Sequence, residues 1–156
     1  MLVLGLDPGS IHFGVGIICR EGNRFQYVHS EVIHLAEPDF NRRMASLWKR
    51  LREITAAHEI GAAAMEEGFL GKNVHTLTLL AMVRGLVMAA LIERSISLAT
   101  YSPREVKLAL TGYGSASKEQ VGRMVATILN LRQGKRIGPD EGDALAVAYC
   151  HAAKLR

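Results

Sequence analysis

The chain has 156 residues, of which 49% are hydrophobic and 22% are charged, and this composition is typical of one globular domain rather than a disordered chain. Its formal net charge of +4 is a mild basic bias, which becomes informative only where the positive residues cluster. Two cysteines, far apart in sequence, exclude a disulfide scaffold or a zinc finger and predict reduced thiols in a cytoplasmic protein.

The beginning of the chain predicts a three-stranded meander. Residues 2–6 form an apolar run that ends at an Asp-Pro-Gly-Ser turn, and because the residue before a proline is held extended, Asp7 should occupy the last step of the first strand. Residues 13–19 and 25–35 are rich in Val, Ile, Phe and Tyr and flank a turn, which predicts two further strands in a hairpin. No basic leader precedes the first apolar run, so we expect no secretory signal.

Helices and strands then alternate before three helices complete the chain. Asp39 is placed to cap the first helix, in which apolar side chains recur at steps of three and four residues. Ser102 and Ser117 each stand three residues before Glu or Gln, which is the capping-box spacing that begins a helix. The predicted elements are a helix at 40–58, a strand at 61–65, a long helix from Asn73 or Thr76 to about Arg94, a strand at 96–100, and helices from Ser102 to about Thr111, from Ser117 to about Leu131 and from Asp140 to Ala153. We therefore expect one domain over residues 1–156, of the α/β class, with a mixed five-stranded sheet flanked by helices.

The long predicted helix contains the longest apolar stretch of the chain, residues 77–92. Arg84 interrupts this stretch, which is shorter than the roughly 20 apolar residues of a membrane span, so we expect no transmembrane helix and no membrane partner. Apolar residues occupy more than one face of the helix, and burial against its own sheet explains part of this pattern but cannot cover all sides. We expect a second copy of the chain to cover the rest in a homodimer.

Positive charge is concentrated in residues 104–136, which contain seven basic and two acidic residues. This segment therefore carries more positive charge than the whole chain, and such an asymmetry suits a nucleic-acid phosphate backbone. A solvated basic face explains the charge equally well. The basic residues are Arg104, Lys107, Lys118, Arg123, Arg132, Lys135 and Arg136.

Acidic residues stand at four places where the predicted fold requires none. They are Asp7 at the end of the first strand, Glu66 or Glu67 at the end of the fourth, and Asp140 with Asp143 on the last helix. Taken one at a time, each has a simpler explanation as a turn residue, a helix cap or a solvated charge. Their coincidence at predicted sheet ends instead indicates a site for divalent cations such as Mg²⁺, and two such ions can clamp a phosphodiester. The unknown register of the fourth strand does not choose between the two glutamates.

An ordered set of motifs extends over nearly the whole chain. The first is residues 4–10 with Gly14-Val15-Gly16. The later motifs are Met65-Glu66-Glu67-Gly68-Phe69 with Lys72-Asn73, Val106-Lys107 with Gly112, Gly114-Ser115-Ala116-Ser117-Lys118, and Asp140-Glu141-Gly142-Asp143-Ala144-Leu145-Ala146. This set, in this order, resembles the motifs of the RuvC family of Holliday junction resolvases, whose fold is ribonuclease H-like.

The resemblance implies a metal-dependent endonuclease that resolves four-way DNA junctions by paired nicks during recombination and repair. It implies Mg²⁺, with Mn²⁺ as an alternative, and two ions in each active site. It favours Glu66 over Glu67, so that the implied ligands are Asp7, Glu66, Asp140 and Asp143.

The resemblance also implies how the protein holds its substrate. Lys107 and Lys118 would act at or beside the scissile phosphate, and Phe69 would insert against unpaired bases near the crossover. The implied partners are a second copy of the chain and a branch-migration helicase complex. The implied DNA-binding residues are Phe69, Lys72, Asn73, Arg104, Lys107, Ser117 and Lys118.

Three other functions fit parts of the sequence. A ribonuclease H-like nuclease of another specificity, acting in RNA processing, would use the same carboxylates. A noncatalytic junction-binding protein would explain the basic helices but not the four acids. A small actin-like ATP-binding protein would explain the Asp-Pro-Gly-Ser turn, yet that fold usually pairs two such domains.

Overall fold

The computed structural model describes residues 1–67, 73–131 and 137–155, and these residues form one five-stranded sheet with helices on both faces. The elements in chain order are β1 (Leu2–Asp7), β2 (His12–Glu21), β3 (Arg24–His34), α1 (Phe40–Ala57), β4 (Ile60–Glu66), α2 (Val74–Glu93), β5 (Leu98–Tyr101), α3 (Pro103–Thr111), α4 (Lys118–Ile128) and α5 (Pro139–Lys154). The strand order is β3-β2-β1-β4-β5. β1 to β3 form an antiparallel meander, whereas β4 and β5 run parallel to β1. The predicted mixed sheet is confirmed.

Side chains alternate between two hydrophobic cores, one on each face of the sheet. Leu4 and Leu6 of β1 belong to the core beneath α1 and α2. Val3 lies in the opposite core, which packs against α3, α4 and α5. Because successive side chains of a strand point to opposite faces, Asp7 lies on the same face as Val3. We call these the α1/α2 face and the α5 face.

Local capping begins most helices where the sequence predicts. The Asp39 carboxylate accepts a hydrogen bond from the Asn41 backbone N–H at 2.8 Å, and both Ser102 and Ser117 form complete capping boxes. The last helix begins one residue earlier than predicted, with Pro139 in its first turn and Gly138 as the cap residue. Proline is favoured at this position because it has no N–H to leave unpaired. Asp140 is therefore inside the first turn and does not cap the helix.

α2 combines a buried stripe with an exposed apolar surface. Val83, Val87, Ala90 and Leu91 are buried against the sheet. Among the described residues it is also the one helix long and apolar enough to cross a membrane, so the interruption at Arg84 does not exclude a span as the sequence argument supposed. One such helix is weak evidence, because a core helix of a soluble protein has the same length and composition. The exposed apolar residues are Val74, Met82, Met88 and Ile92.

Both cysteines are free thiols, as the sequence predicts, and neither is bonded to the other. Cys150 is buried in the core of the α5 face. Burial raises the pKa of its thiol to about 11, because a thiolate would lose its hydration there. Cys150 is therefore a packing residue rather than a reactive one.

Candidate active site

Two parallel strands bring Asp7 and Glu66 side by side. Leu6 of β1 is paired with Met65 of β4, so the next residues along these strands, Asp7 and Glu66, end the two strands together. Glu66 shares a face with Ala64, which lies in the core of the α5 face, and Asp7 is on this face too. The carboxyl ends of β1 and β4 therefore present two partly buried carboxylates beneath α5.

Glycine in β2 allows the first turn of α5 to reach the same edge of the sheet. Gly14 is paired with Asp7, and a Cβ atom built on Gly14 would lie 2.3 Å from the Asp140 carbonyl oxygen and 3.2 Å from Asp7 Cβ. No side chain fits in this gap, so the backbone of α5 packs directly on the strand. Asp140 and Asp143, three residues apart, project from one side of this turn.

The electrostatics of Asp7 show that the four acids share one neighbourhood. Burial, followed by the negative charges of Asp143, Glu66 and Asp140, raises the pKa of Asp7 from 3.8 to about 7, while Lys118 opposes the shift. The pKa of Glu66 is raised by burial and by Asp143 and is lowered by Lys118 and Lys107. The neighbouring carboxylates thus make Asp7 and Glu66 harder to ionise, because partial burial removes water that would screen the negative charges.

Two lysines line a cavity next to these acids. The cavity has a volume of about 150 Å³ and lies between the end of β4 and helices α3, α4 and α5. Its polar lining consists of Glu66, Lys107, Lys118 and Asp143. Lys118 Nζ donates a hydrogen bond to Asp143 Oδ2 at 3.1 Å, and this contact raises the pKa of Lys118. Asp143 is therefore the anion that compensates a lysine at the positive end of α4 in this structure.

The carboxylates at this edge of the sheet are the ligand type that suits a hard divalent cation, but they lie too far apart in this structure to bind one ion together. Within residues 1–67, 73–131 and 137–155, no three His, Cys, Asp or Glu side chains lie close enough to hold one metal ion. Carboxylate oxygens are nevertheless the ligands that Mg²⁺ prefers, and the raised pKa of Asp7 marks negative charge that a cation would neutralise. Asp7, Glu66, Asp140 and Asp143 are thus gathered at one place without converging on one point.

Arg84 supports the site, although from the sequence it is only an interruption in an apolar helix. Its Nη1 atom donates a hydrogen bond to the Glu66 backbone oxygen at 2.6 Å, from α2 to the end of β4. The guanidinium therefore holds the strand end that carries Glu66. The sequence contained one signal of this role, a charged residue in the middle of an apolar helix. A charged side chain in a partly buried position usually has a hydrogen-bonding or ionic partner.

The two adjacent glutamates have different environments. Glu66 faces the cavity, whereas Glu67 is exposed and its backbone N–H donates a hydrogen bond to the Tyr101 backbone oxygen.

The predicted DNA-binding residues that the structure describes lie at or near helix starts. Asn73 caps α2 by accepting hydrogen bonds from the backbone N–H groups of residues 75 and 76, and Ser117 caps α4. Arg104 is exposed and its side chain lies over Gly114. Phe69 and Lys72 lie outside the described residues, as do three residues of the basic segment, Arg132, Lys135 and Arg136.

Comparison with known proteins identifies one family over nearly the full chain. The model of the family described as crossover junction endodeoxyribonuclease RuvC matches residues 3–151. The protein of that name from Paracoccus denitrificans is 36% identical over 157 residues, which cover 100% of this chain and 94% of the relative. The one from Xanthomonas oryzae pv. oryzae is 42% identical over 152 residues, covering 96% and 86%. The structure of Thermus thermophilus RuvC in complex with Holliday junction substrate has a TM-score of 0.89 at 32% identity, covering 97% of this chain and 93% of that one.

Proposed function

Because the chain belongs to the RuvC family of crossover junction endodeoxyribonucleases, we propose that the carboxylates at the ends of β1 and β4 and on α5 are its catalytic centre. The protein is an endonuclease with a ribonuclease H-like fold that resolves Holliday junctions in homologous recombination and DNA repair. The observation that carries the proposed site is the shared electrostatic environment of four acids from three separate elements. Such a concentration of negative charge costs stability, so it is retained for chemistry rather than for folding.

We assign the metal ligands to Asp7, Glu66, Asp140 and Asp143. The family is one of metal-dependent nucleases, and we propose two Mg²⁺ ions in each site, with Mn²⁺ as an alternative. When bound, such ions make water nucleophilic at neutral pH and stabilise the leaving oxygen of a phosphodiester. Oxygen-only donors and the absence of His or Cys from this set favour these hard cations over zinc.

Lys107 and Lys118 are proposed to hold the scissile phosphate. Both line the cavity that contains Glu66 and Asp143, so a phosphate at the carboxylates would lie within reach of both ammonium groups. The side chain of Lys118 is 81% exposed and can turn from Asp143 to a phosphate oxygen. The ammonium is worth most when negative charge develops on the phosphate in the transition state.

The remaining DNA contacts are proposed from helix starts and from the motif that follows β4. Asn73 and Ser117 cap α2 and α4, and the N-terminus of a helix attracts phosphate through its free N–H groups. Arg104 adds an exposed positive charge on α3, next to the loop that leads to α4. We keep Lys72 as a phosphate contact and Phe69 as the side chain that inserts against unpaired bases.

We further propose that two copies of this single nuclease domain act as a homodimer through α2. Val74, Met82, Met88 and Ile92 leave an apolar surface on this helix that the described chain does not cover. A four-way junction has two equivalent strands to cut, and a two-fold symmetric dimer places one active site at each. In the cytoplasm, a branch-migration helicase complex is the proposed further partner.

The function is tested with synthetic four-way, duplex and RNA–DNA substrates in Mg²⁺, Mn²⁺ or EDTA. We expect paired nicks in the four-way junction alone, only with metal, and none from Asp7→Asn, which should still bind the junction because the basic surface is unchanged. Preferential cutting of the RNA–DNA hybrid would replace junction resolution by the RNA-processing alternative. Substantial cutting by Asp7→Asn would remove Asp7 from the catalytic centre.

A further inference from the structure

A chain of hydrogen bonds links β3 to the first turn of α5. The Ser30 hydroxyl donates to Glu141 Oε1 at 2.7 Å, and the Gly138 backbone N–H donates to Glu141 Oε2 at 2.9 Å. The Tyr27 hydroxyl lies 3.2 Å from Ser30 Oγ. Since Ser30 has a single hydroxyl proton and gives it to Glu141, the hydrogen bond between the two hydroxyls must be donated by Tyr27. The two oxygens of the Glu141 carboxylate are thus bonded to Ser30 and Gly138, and Ser30 is in turn bonded to Tyr27.

A β-bulge in β3 makes this chain of bonds geometrically feasible. Ile17 is paired with His29 and Ile18 with Tyr27, so Val28 is an extra residue without an opposite partner. Residues three apart in a regular strand face opposite sides of the sheet, but one inserted residue restores them to the same side. Tyr27 and Ser30 consequently both face α5.

The start of α5 has only half of the capping box that the neighbouring helices have. α3 and α4 begin at serines whose hydroxyls accept a backbone N–H, whereas the cap residue of α5 is Gly138, which has no side chain, so only its N–H bond to Glu141 is present. Gly142 in the same turn adds a residue of poor helix propensity. Three acidic side chains, Asp140, Glu141 and Asp143, also repel one another there. This turn therefore needs an anchor from outside the helix.

We propose that Glu141 is a positioning residue, which Ser30 clamps so that the first turn of α5 holds Asp140 and Asp143 against the end of β1. This inference rests on the proposed function, because it gives those two aspartates a catalytic duty. Glu141 itself lies between these aspartates in sequence, and its two carboxylate oxygens accept hydrogen bonds from Ser30 and Gly138. It acts on the reaction through its neighbours and not as a ligand of the substrate.

A double-mutant cycle on Ser30→Ala and Glu141→Ala tests the proposal. The rate of a single turnover at saturating enzyme should fall about ten-fold in each variant, and junction affinity should stay within about two-fold of wild type, because the basic surface is untouched. The double variant should be no slower than the slower single variant, since both substitutions break the same connection. Glu141→Met, which keeps the length of the side chain but has no oxygen to accept the Ser30 bond, replaces Glu141→Ala if the latter does not fold.

Amide hydrogen exchange of the metal-free protein gives a second readout that does not depend on cleavage. Exchange at Gly142 and Asp143 should be about ten-fold faster in both single variants, because their N–H groups are the first to bond within α5. The matched control is Ser46→Ala, which removes a serine hydroxyl that donates to the Glu37 carboxylate at 2.5 Å on the other face of the sheet. It should change neither the rate nor exchange in α5.

Three results would overturn the proposal: unchanged rates in both single variants, effects that multiply in the double variant, or unchanged exchange at Gly142 and Asp143. A wild-type protein that cuts no junction would instead refute the proposed function, and the exchange experiment would still report whether Ser30 and Glu141 hold the helix.

Discussion

The two faces of the sheet are packed with side chains of different size. On the α1/α2 face, large residues such as Leu4, Leu6 and Phe13 fill the space between the strands and the helices. On the α5 face, Gly5 and Gly14 leave no such space, because a Cβ atom at Gly5 would lie 1.9 Å from the Ala144 carbonyl oxygen. The α5 face also has a hydrophobic core, but at these two glycines it brings helix backbone into direct contact with strand backbone.

This difference explains where the acids can be held. Large side chains keep the helices of the α1/α2 face at a distance from the strands, whereas at a glycine the two backbones touch and their relative position is fixed. Asp7 at the end of β1 and Asp140 at the start of α5 are separated by Gly14 alone, so backbone packing sets their relation. The α5 face consequently contains partly buried negative charge, which lowers the stability of the native state.

The largest expected effect distinguishes two adjacent glutamates that alternate between the faces. Glu66→Gln removes the carboxylate that faces the cavity and should lower cleavage by at least about a hundred-fold, whereas Glu67→Gln should cut nearly as wild type. Single-turnover cleavage of a four-way junction measures both. The reverse pattern would show that β4 delivers its other glutamate to the site.

A methyl group added where α5 contacts β2 and one added on an open helix surface should have opposite consequences. Gly14→Ala places a Cβ atom 2.3 Å from the Asp140 carbonyl oxygen, so it should displace the first turn of α5, reduce cleavage and lower the melting temperature. Gly122→Ala, in α4, meets nothing within 4 Å and should stabilise the helix by about 0.5–1 kcal/mol. Thermal unfolding followed by circular dichroism measures the stability of both. Equal effects of the two substitutions would show that the close approach of α5 is not required.

The buried negative charge predicts a pH dependence that Asp7→Asn should remove. Because the pKa of Asp7 is about 7 in the native protein and 3.8 otherwise, the native state binds more protons than the unfolded chain between these values. The free energy of unfolding therefore falls as pH rises through this interval, by about 2–4 kcal/mol for a group of this burial. In EDTA at pH 8, Asp7→Asn should melt about 5–10 °C above wild type, and at pH 4 the two should coincide.

A matched substitution on the other face controls this experiment. Asp39→Asn keeps the cap of α1, since asparagine caps a helix as well as aspartate does, and should leave the melting temperature unchanged at both pH values. A higher melting temperature for Asp7→Asn at pH 4 as well as at pH 8 would assign its effect to packing rather than to charge.

Substitution of the two lysines beside the cavity tests whether they act on the reacting phosphate or only add to the general positive charge of the α5 face. Lys107→Ala and Lys118→Ala should each lower the rate at saturating enzyme about ten-fold, because the ammonium groups act on charge that develops in the transition state. Lys49→Ala, an exposed lysine of α1, should change neither rate nor affinity. Small and equal effects at all three positions would make the basic segment a general electrostatic surface, seen only in the salt dependence of binding.

The sequence predicted what local rules determine. The caps at Asp39, Ser102 and Ser117 were located correctly, because a cap depends on residues within one turn. The proposed site residues could be named as candidates, yet the face of β4 that carries Glu66 depends on pairing with β1, which no single segment specifies.

What the sequence could not predict depends on contacts between distant segments. The bulge at Val28 shifts the register of β3 and turns Ser30 toward Glu141, more than a hundred residues away in sequence. The ion pair that compensates Lys118 with Asp143 likewise joins two helices. Asp140 was misplaced at the cap of α5 because Pro139 permits an earlier start than the acidic residue alone suggests.

The smallest expected effect is that of substituting Arg84. This residue belongs to α2 and donates a hydrogen bond to the Glu66 backbone oxygen of β4, so it connects the α1/α2 face to the site on the α5 face. Arg84→Met keeps the apolar stem and removes this bond, so the end of β4 should become less ordered and the saturated cleavage rate should fall about three- to ten-fold. Arg84→Lys should restore part of the rate, because an ammonium can still donate to the carbonyl oxygen although without the planar fork of a guanidinium. Arg52→Met removes an arginine of α1 that pairs with Glu93 at 3.3 Å on the surface and should have no effect on rate. If Arg84→Met and Arg52→Met behave alike, α2 contributes to this site only through the hydrophobic core, and the α5 face positions Glu66 without help from the other side of the sheet.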